Sequence, residues 1–134
     1  MEHTHKLHVL IVDDELDARE ILKSLLEDAG HTTCWAATGE GAMKLLKSEK
    51  IDAVLLDMNL GPGASGWDVL RYKLQYFPEI PTIIVSGESP AAIHQGAITN
   101  LLQCVVVIMG KPVDMKTLHM ALVSIKEKIP DTDA

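Results

Sequence analysis

Two kinds of block alternate along the chain. Leu7-His8-Val9-Leu10-Ile11-Val12 is a short, β-branched run that stops at Asp13-Asp14. That is the pattern of a strand covered on both faces. Ala18, Ile21, Leu22, Leu25, Leu26 and Ala29 then recur at helical spacing, and Gly30 follows as a C-terminal stop. His31 to Ala37 reads as a second, less apolar strand, and Thr38 can cap a helix that buries Ala42, Leu45 and Leu46. Ile51 to Leu56 is a third strand, again ending at an aspartate, Asp57. A glycine-rich loop, Gly61 to Gly66, leads to a helix with Trp67, Leu70, Leu74 and Phe77 on one side, closed by Pro78 and Pro81. Thr82 to Val85 is a fourth strand, followed by Ser86-Gly87-Glu88 and a helix from about Pro90. Cys104 to Met109 is a fifth, ending at Gly110-Lys111-Pro112, and the last helix turns Met115, Leu118, Leu122, Ile125 and Ile129 inward.

Five strands alternating with five helical segments predict an α/β fold, a parallel sheet with helices on both faces and right-handed crossovers. Ligands of such sheets bind beyond the carboxyl ends of the strands. Composition sharpens this picture. With 134 residues, 47% hydrophobic and 23% charged, the chain is one globular domain and not a disordered one. The expected boundaries are an arm over 1–6, a domain over 7–129 and a tail over 130–134. No apolar run reaches the roughly 18 residues of a membrane span and no signal-peptide pattern precedes the first strand, so a cytoplasmic location is expected. Nineteen acidic against 12 basic residues, a net −7, argue against a nucleic-acid surface. Cys34 and Cys104, both in apolar runs, read as buried thiols in a reducing compartment.

The strand ends carry the chemistry: Asp13 and Asp14, then Asp57, Ser86 and Lys111. Each alone is an ordinary residue for a strand–helix junction. Together they bring three carboxylates, a hydroxyl and an ammonium to one crevice. Three neighbouring carboxylates call for a divalent cation, and hard oxygen ligands point to Mg²⁺.

V-D-D-E (Val12 to Glu15), L-L-D-M-N-L (Leu55 to Leu60), V-S-G-E (Val85 to Glu88) and G-K-P (Gly110 to Pro112) occur in this order. In them the chain resembles the receiver domain of two-component response regulators, from about Leu7 to Ile129. The resemblance implies a flavodoxin-like, doubly wound sheet of strand order 2-1-3-4-5. It implies that Asp57 is the phosphoacceptor, that Asp14 binds Mg²⁺ directly and Asp13 through a water, and that the backbone carbonyl of Asn59 is a further ligand. Lys111 and Ser86 would contact phosphoryl oxygens, and Lys111-Pro112 would be a cis bond. The donor would be a histidine kinase or histidine phosphotransfer protein, and the output a downstream protein or an output domain. A monomer or weak dimer is expected. Asn59 and Glu88 stand where members of the chemotaxis type carry polar and acidic residues, which implies a short-lived phosphorylated state.

Three features depart from the family pattern. The switch position three residues before the lysine is Ile108 instead of Tyr or Phe. The Ser86 to Lys111 segment is a few residues longer, with Gly96-Ala97 far upstream of strand five, so the helix between is expected to be short or remodelled. The loop after Asp57 gains one residue and its proline moves to Pro62. Ile108 and the altered segment keep a second function open, a phosphorylation-independent interaction module.

Other motifs count for less. Gly61 to Gly66 matches G-x-G-x-x-G, but Asp57 just upstream would repel a pyrophosphate, so the segment reads as a loop. His3, His5 and His8 allow a metal tract, with a solvated arm preferred; His31, His94 and His119 receive no role. A Cys34–Cys104 disulfide is not expected, since opposite edges of such a sheet lie about 19 Å apart. Trp35 and Trp67 read as packing residues. Only Pro130 to Ala134 follow the last helix, which leaves a stand-alone regulator or a fragment of a hybrid kinase or longer regulator.

Overall fold

A computed structural model describes residues 6–87, 93 and 101–128. The elements run β1 (His8–Val12), α1 (Leu16–Asp28), β2 (Thr32–Ala36), α2 (Gly39–Ser48), β3 (Ala53–Leu56), α3 (Gly66–Tyr76), β4 (Thr82–Ser86), β5 (Val105–Gly110) and α4 (Met115–Lys128). All strand pairs are parallel and the sheet order is β2-β1-β3-β4-β5, the expected doubly wound α/β arrangement. The helix expected from about Pro90, Gly96-Ala97, His94, Ile129 and the histidines of the arm lie outside the described residues.

Alternation along the strands builds two cores. Leu10, Val12, Val54, Leu56 and Ile84 face α2 and α3, packing with Ala42, Leu46, Val69 and Leu70. Val9, Ile11, Leu55 and Ile83 face the other way, onto Leu22, Leu26, Leu118, Leu122 and Ile125. Because neighbours in sequence serve opposite layers, a one-residue slip of any central strand would exchange its two faces.

Local signals end the helices. After α1, Gly30 takes φ +94°, and the N–H groups of Gly30 and His31 donate to Glu27 and Leu26 carbonyls at 3.0 Å each, a Schellman closure. Thr38 caps α2, accepting from Gly41 N at 3.0 Å. Ser65 and Asp68 form a reciprocal capping box at the start of α3, worth about 1 kcal/mol.

Several side chains sit differently from the periodic pattern. Ile21 and Met115, expected inward, are exposed, since each lies at the margin of a helical stripe narrower than its apolar run. Trp35 is also exposed, on the edge strand β2, where the Arg19 guanidinium stacks 4.3 Å from its ring centroid. Cys34 and Cys104 are half-buried, because β2 and β5 are the two sheet edges; both are free thiols. In α3 the buried residues are Gly66, Val69, Leu70 and Lys73, while Trp67, Leu74 and the C-cap Phe77 are only partly covered.

Candidate functional site

The carboxyl ends of β1, β3 and β4 and the segment after β5 meet at one edge of the sheet. Asp13 and Asp57 follow their strands directly, yet their backbones remain in the ladder: Asp13 N donates to Ala36 O at 3.1 Å and Asp57 N to Val12 O at 2.9 Å. Both side chains are therefore fixed at the rim. Ser86 is the last residue of β4, paired with Gly110, and fully buried. Lys111 follows Gly110, and its bond to Pro112 is cis, as the resemblance implied.

Lys111 Nζ donates to Asp57 Oδ2 at 3.1 Å and to Asp13 Oδ2 at 3.3 Å, with Glu15 Oε1 4.0 Å away. The other oxygen of Asp57 accepts from Asn59 N at 3.0 Å, and Asp13 Oδ1 accepts from Glu15 N at 2.9 Å. Ligand atoms of Asp13, Asp14 and Asp57 lie within 4.8 Å of one another; Asp14 is exposed and the other two are buried. Burial pushes the Asp57 carboxyl above the usual range, aided by the Asp13 charge and opposed by the Asn59 N–H and Lys111. For Lys111 burial acts downward, but the hydrogen bond and charge of Asp57, with those of Asp13, outweigh it and raise the ammonium's pKa. Three carboxylates against one ammonium leave a surplus of negative charge, which suits a hard divalent cation.

The loop between β3 and α3 is held by contacts the sequence did not reveal. Ala64 N donates to Glu40 Oε2 at 3.0 Å, so a carboxylate occupies the glycine-rich turn that a pyrophosphate would need. A Cβ on Gly66 would approach Met58 Cα to 2.5 Å and Asp57 O to 2.9 Å, so this glycine lets α3 start against the backbone of Asp57. Arg19 is a further support, donating from Nη1 to Asp13 O at 2.9 Å. Its position one turn into α1 was the available signal. Asn59 is exposed at the rim, Ile108 is half-buried against the apolar layer on the α2/α3 side, and Glu88 lies outside the described residues.

At the opposite end of the sheet opens a cleft of about 880 Å³, lined among others by Glu49, Asp52, Phe77, Cys104 and Lys128. None of the three rim carboxylates borders it. Next to it the Lys73 ammonium is buried and donates to the carbonyls of Ile80 at 2.5 Å and Phe77 at 3.4 Å. Among the described residues, no helix is long and apolar enough to cross a membrane.

The family model for the response regulator receiver domain matches residues 9–123. A putative NtrX-like response regulator of Rickettsia bellii is 30% identical over 136 residues, covering 93% of this chain and 28% of that protein. The chain thus spans less than a third of that relative. The autoinducer 1 sensor kinase/phosphatase LuxN of Vibrio harveyi is 32% identical over 81 residues, covering 60% of this chain and 9% of its own length. Among solved structures, a CheY-like receiver domain from Methylobacillus flagellatus superposes with a TM-score of 0.75 at 27% identity, covering 90% of this chain and 99% of that one. One from Methanospirillum hungatei has a TM-score of 0.80 at 21% identity, covering 92% and 96%, and attests the fold. The carboxylate rim with its lysine and the match across the sheet agree: the chain belongs to the response regulator receiver domain family.

Proposed function

We propose that this receiver accepts a phosphoryl group on Asp57 from a phosphohistidine of a histidine kinase or phosphotransfer protein. The observation that carries the reading is the Lys111 ammonium held between Asp57 and Asp13. It is a mobile cation placed to follow charge from a carboxylate to a phosphoryl oxygen. In the reaction an Asp57 oxygen forms the O–P bond while the donor's N–P bond breaks. The imidazole keeps the electron pair and takes up a proton. Asn59 N–H fixes one carboxylate oxygen, which orients the other for attack. Lys111 exchanges its hydrogen bond with the carboxylate for one with the phosphoryl group, and the Ser86 hydroxyl donates to a second oxygen.

The donor set fits Mg²⁺: Asp14 and Asp57 side chains, the Asn59 carbonyl, and Asp13 through water. When bound, the ion supplies neutralisation of charge on the phosphoryl oxygens. By the family pattern, a polar residue at Asn59 and an acidic one at position 88 in the sequence go with a short-lived acyl phosphate. A second reading, a phosphorylation-independent interaction module, is favoured by Ile108, whose aliphatic side chain has no hydroxyl or ring to answer a change at Ser86. Incubation with a small acyl-phosphate donor and Mg²⁺, followed by intact-mass measurement, separates the two. The first reading expects one added phosphoryl group on the wild type and none on Asp57→Asn. No addition to the wild type, while a control receiver reacts, favours the second.

A further inference from the structure

A second cluster of ligand atoms lies at the other end of β1, roughly 16 Å from Asp13 at the rise of an extended chain. His8 and Cys34 share a face of the sheet: His8 pairs with Thr32 and Leu10 with Cys34 across β1 and β2. Glu49, the residue that ends α2, reaches over that face. Its Oε1 lies 2.7 Å from His8 Nε2, and its carboxylate is close enough to the Cys34 thiol to raise that thiol's pKa. One atom from each of the three residues falls within 4.8 Å of the others. The second ring nitrogen of His8 is also engaged, Nδ1 lying 2.7 Å from Thr32 Oγ1.

We propose that His8, Cys34 and Glu49 form a binding site for Zn²⁺, separate from the carboxylate rim. The donor set of one imidazole, one thiolate and one carboxylate is that of a borderline-soft ion and unlike the all-oxygen rim. Tetrahedral zinc with ordinary bond lengths separates its ligand atoms by about 3.3–3.5 Å. The cluster needs only small side-chain adjustments to reach that. Thr32 Oγ1 holds the His8 ring through Nδ1, as hydrogen-bond partners behind metal-bound histidines do, leaving Nε2 directed at Glu49. Glu49 also borders the open cleft, which gives an entry path and room for water in the fourth position. Burial, and the charge and hydrogen bond of Glu49, push the Cys34 thiol up to about 12, so the metal-free protein keeps it protonated. On binding, the S–H bond breaks, its proton passes to solvent and a metal–sulfur bond forms. The ion then joins β1, β2 and the end of α2.

Cobalt(II) is the probe, titrated into the 134-residue chain with a large excess of Mg²⁺ to occupy the hard-oxygen rim. The expected result is a near-ultraviolet thiolate-to-cobalt absorption band that saturates at one ion per chain and disappears on adding Zn²⁺. The band persists in Cys104→Ser and is lost in Cys34→Ser, and Glu49→Gln weakens binding at least tenfold. Histidines of the amino-terminal arm cannot mimic a band that requires sulfur. Glu49 is exposed at a helix end, so Glu49→Gln also serves if Cys34→Ser does not fold: Zn²⁺ then raises the melting temperature of the wild type but not of this variant. Absence of the band in the wild type, its survival in Cys34→Ser, or an equal zinc-induced shift in Glu49→Gln overturns the proposal.

Discussion

Replacing Lys111 with methionine keeps most of its length and removes its charge. In the metal-free protein this leaves Asp13 and Asp57, both nearly inaccessible, without their counter-ion. Unit charges 3.1 and 3.3 Å apart attract by about 5 kcal/mol each at an effective dielectric constant of about 20. Release of Lys111 from its own partial burial offsets part of that loss. A ceiling also applies, because a stranded carboxylate can take up a proton. At pH 7 that costs about 4 kcal/mol, from an ordinary carboxylate pKa near 4 and about 1.4 kcal/mol per unit. The expected destabilisation is therefore about 2–4 kcal/mol at pH 7. The sign with pH follows. Without Lys111 the Asp57 pKa, already raised by burial, moves further above its unfolded value, so the native state binds more protons and loses stability as pH rises. The penalty at pH 5 should be no more than about 1.5 kcal/mol. Urea denaturation of both proteins at pH 5, 6 and 7, in chelator and again in Mg²⁺, measures it. Mg²⁺ should return most of the lost stability. Wild-type stability of the variant at pH 7 in chelator, or a penalty that grows on acidification, would refute the electrostatic reasoning.

Asp57→Asn should stabilise the metal-free protein at neutral pH, because burial raises the Asp57 pKa and its ionisation opposes folding; denaturation midpoints that fall instead would contradict this. Gly66→Ala should cost about 1–3 kcal/mol through the close approach to Met58 and Asp57 backbone and slow phosphorylation, read by thermal unfolding and mass spectrometry together. Lys73→Met should cost about 1–3 kcal/mol, since the Ile80 carbonyl loses its buried donor; an unchanged denaturation midpoint would show that the bond contributes nothing. Burial lowers the pKa of His31, whose Nδ1 accepts from Leu7 N at 3.2 Å. Its contribution to stability should therefore be lost as pH falls below its ordinary value near 6.5, and an NMR titration of that ring showing an unshifted midpoint would contradict it. Finally, Asn59 and Glu88 imply, by the family pattern, rapid loss of the phosphoryl group, and a half-life of many hours in Mg²⁺ would remove that reading.

The carboxylate rim was legible because its residues terminate apolar runs. Where a β-branched segment stops at Asp13 or Asp57, topology alone carries that residue to the edge where ligands bind. The two core layers were legible for the same reason. What escaped depends on contacts distant in sequence. Helical periodicity set Trp67, Leu74 and Phe77 inward, yet α3 buries Lys73, because the turn after the helix aims the Phe77 and Ile80 carbonyls at its ammonium. Trp35 was read as packing, but β2 is an edge strand and Arg19 from α1 supplies its cover. Gly66 was visible as part of a glycine-rich loop, while its reason, the nearness of the Asp57 backbone, needed the fold. Likewise His8, Cys34 and Glu49 are separated by 26 and 15 positions in the chain and meet only through the β1–β2 register and the end of α2.

The central claim is that Asp57 and no other carboxylate of the rim receives the phosphoryl group. The most direct measurement is to phosphorylate the protein with a phosphohistidine donor in Mg²⁺, reduce the acyl phosphate with borohydride, and map the product by tandem mass spectrometry. Aspartate should be converted to homoserine at position 57 alone. Conversion at Asp13 or Asp14, or no conversion while a control receiver is labelled, would contradict it.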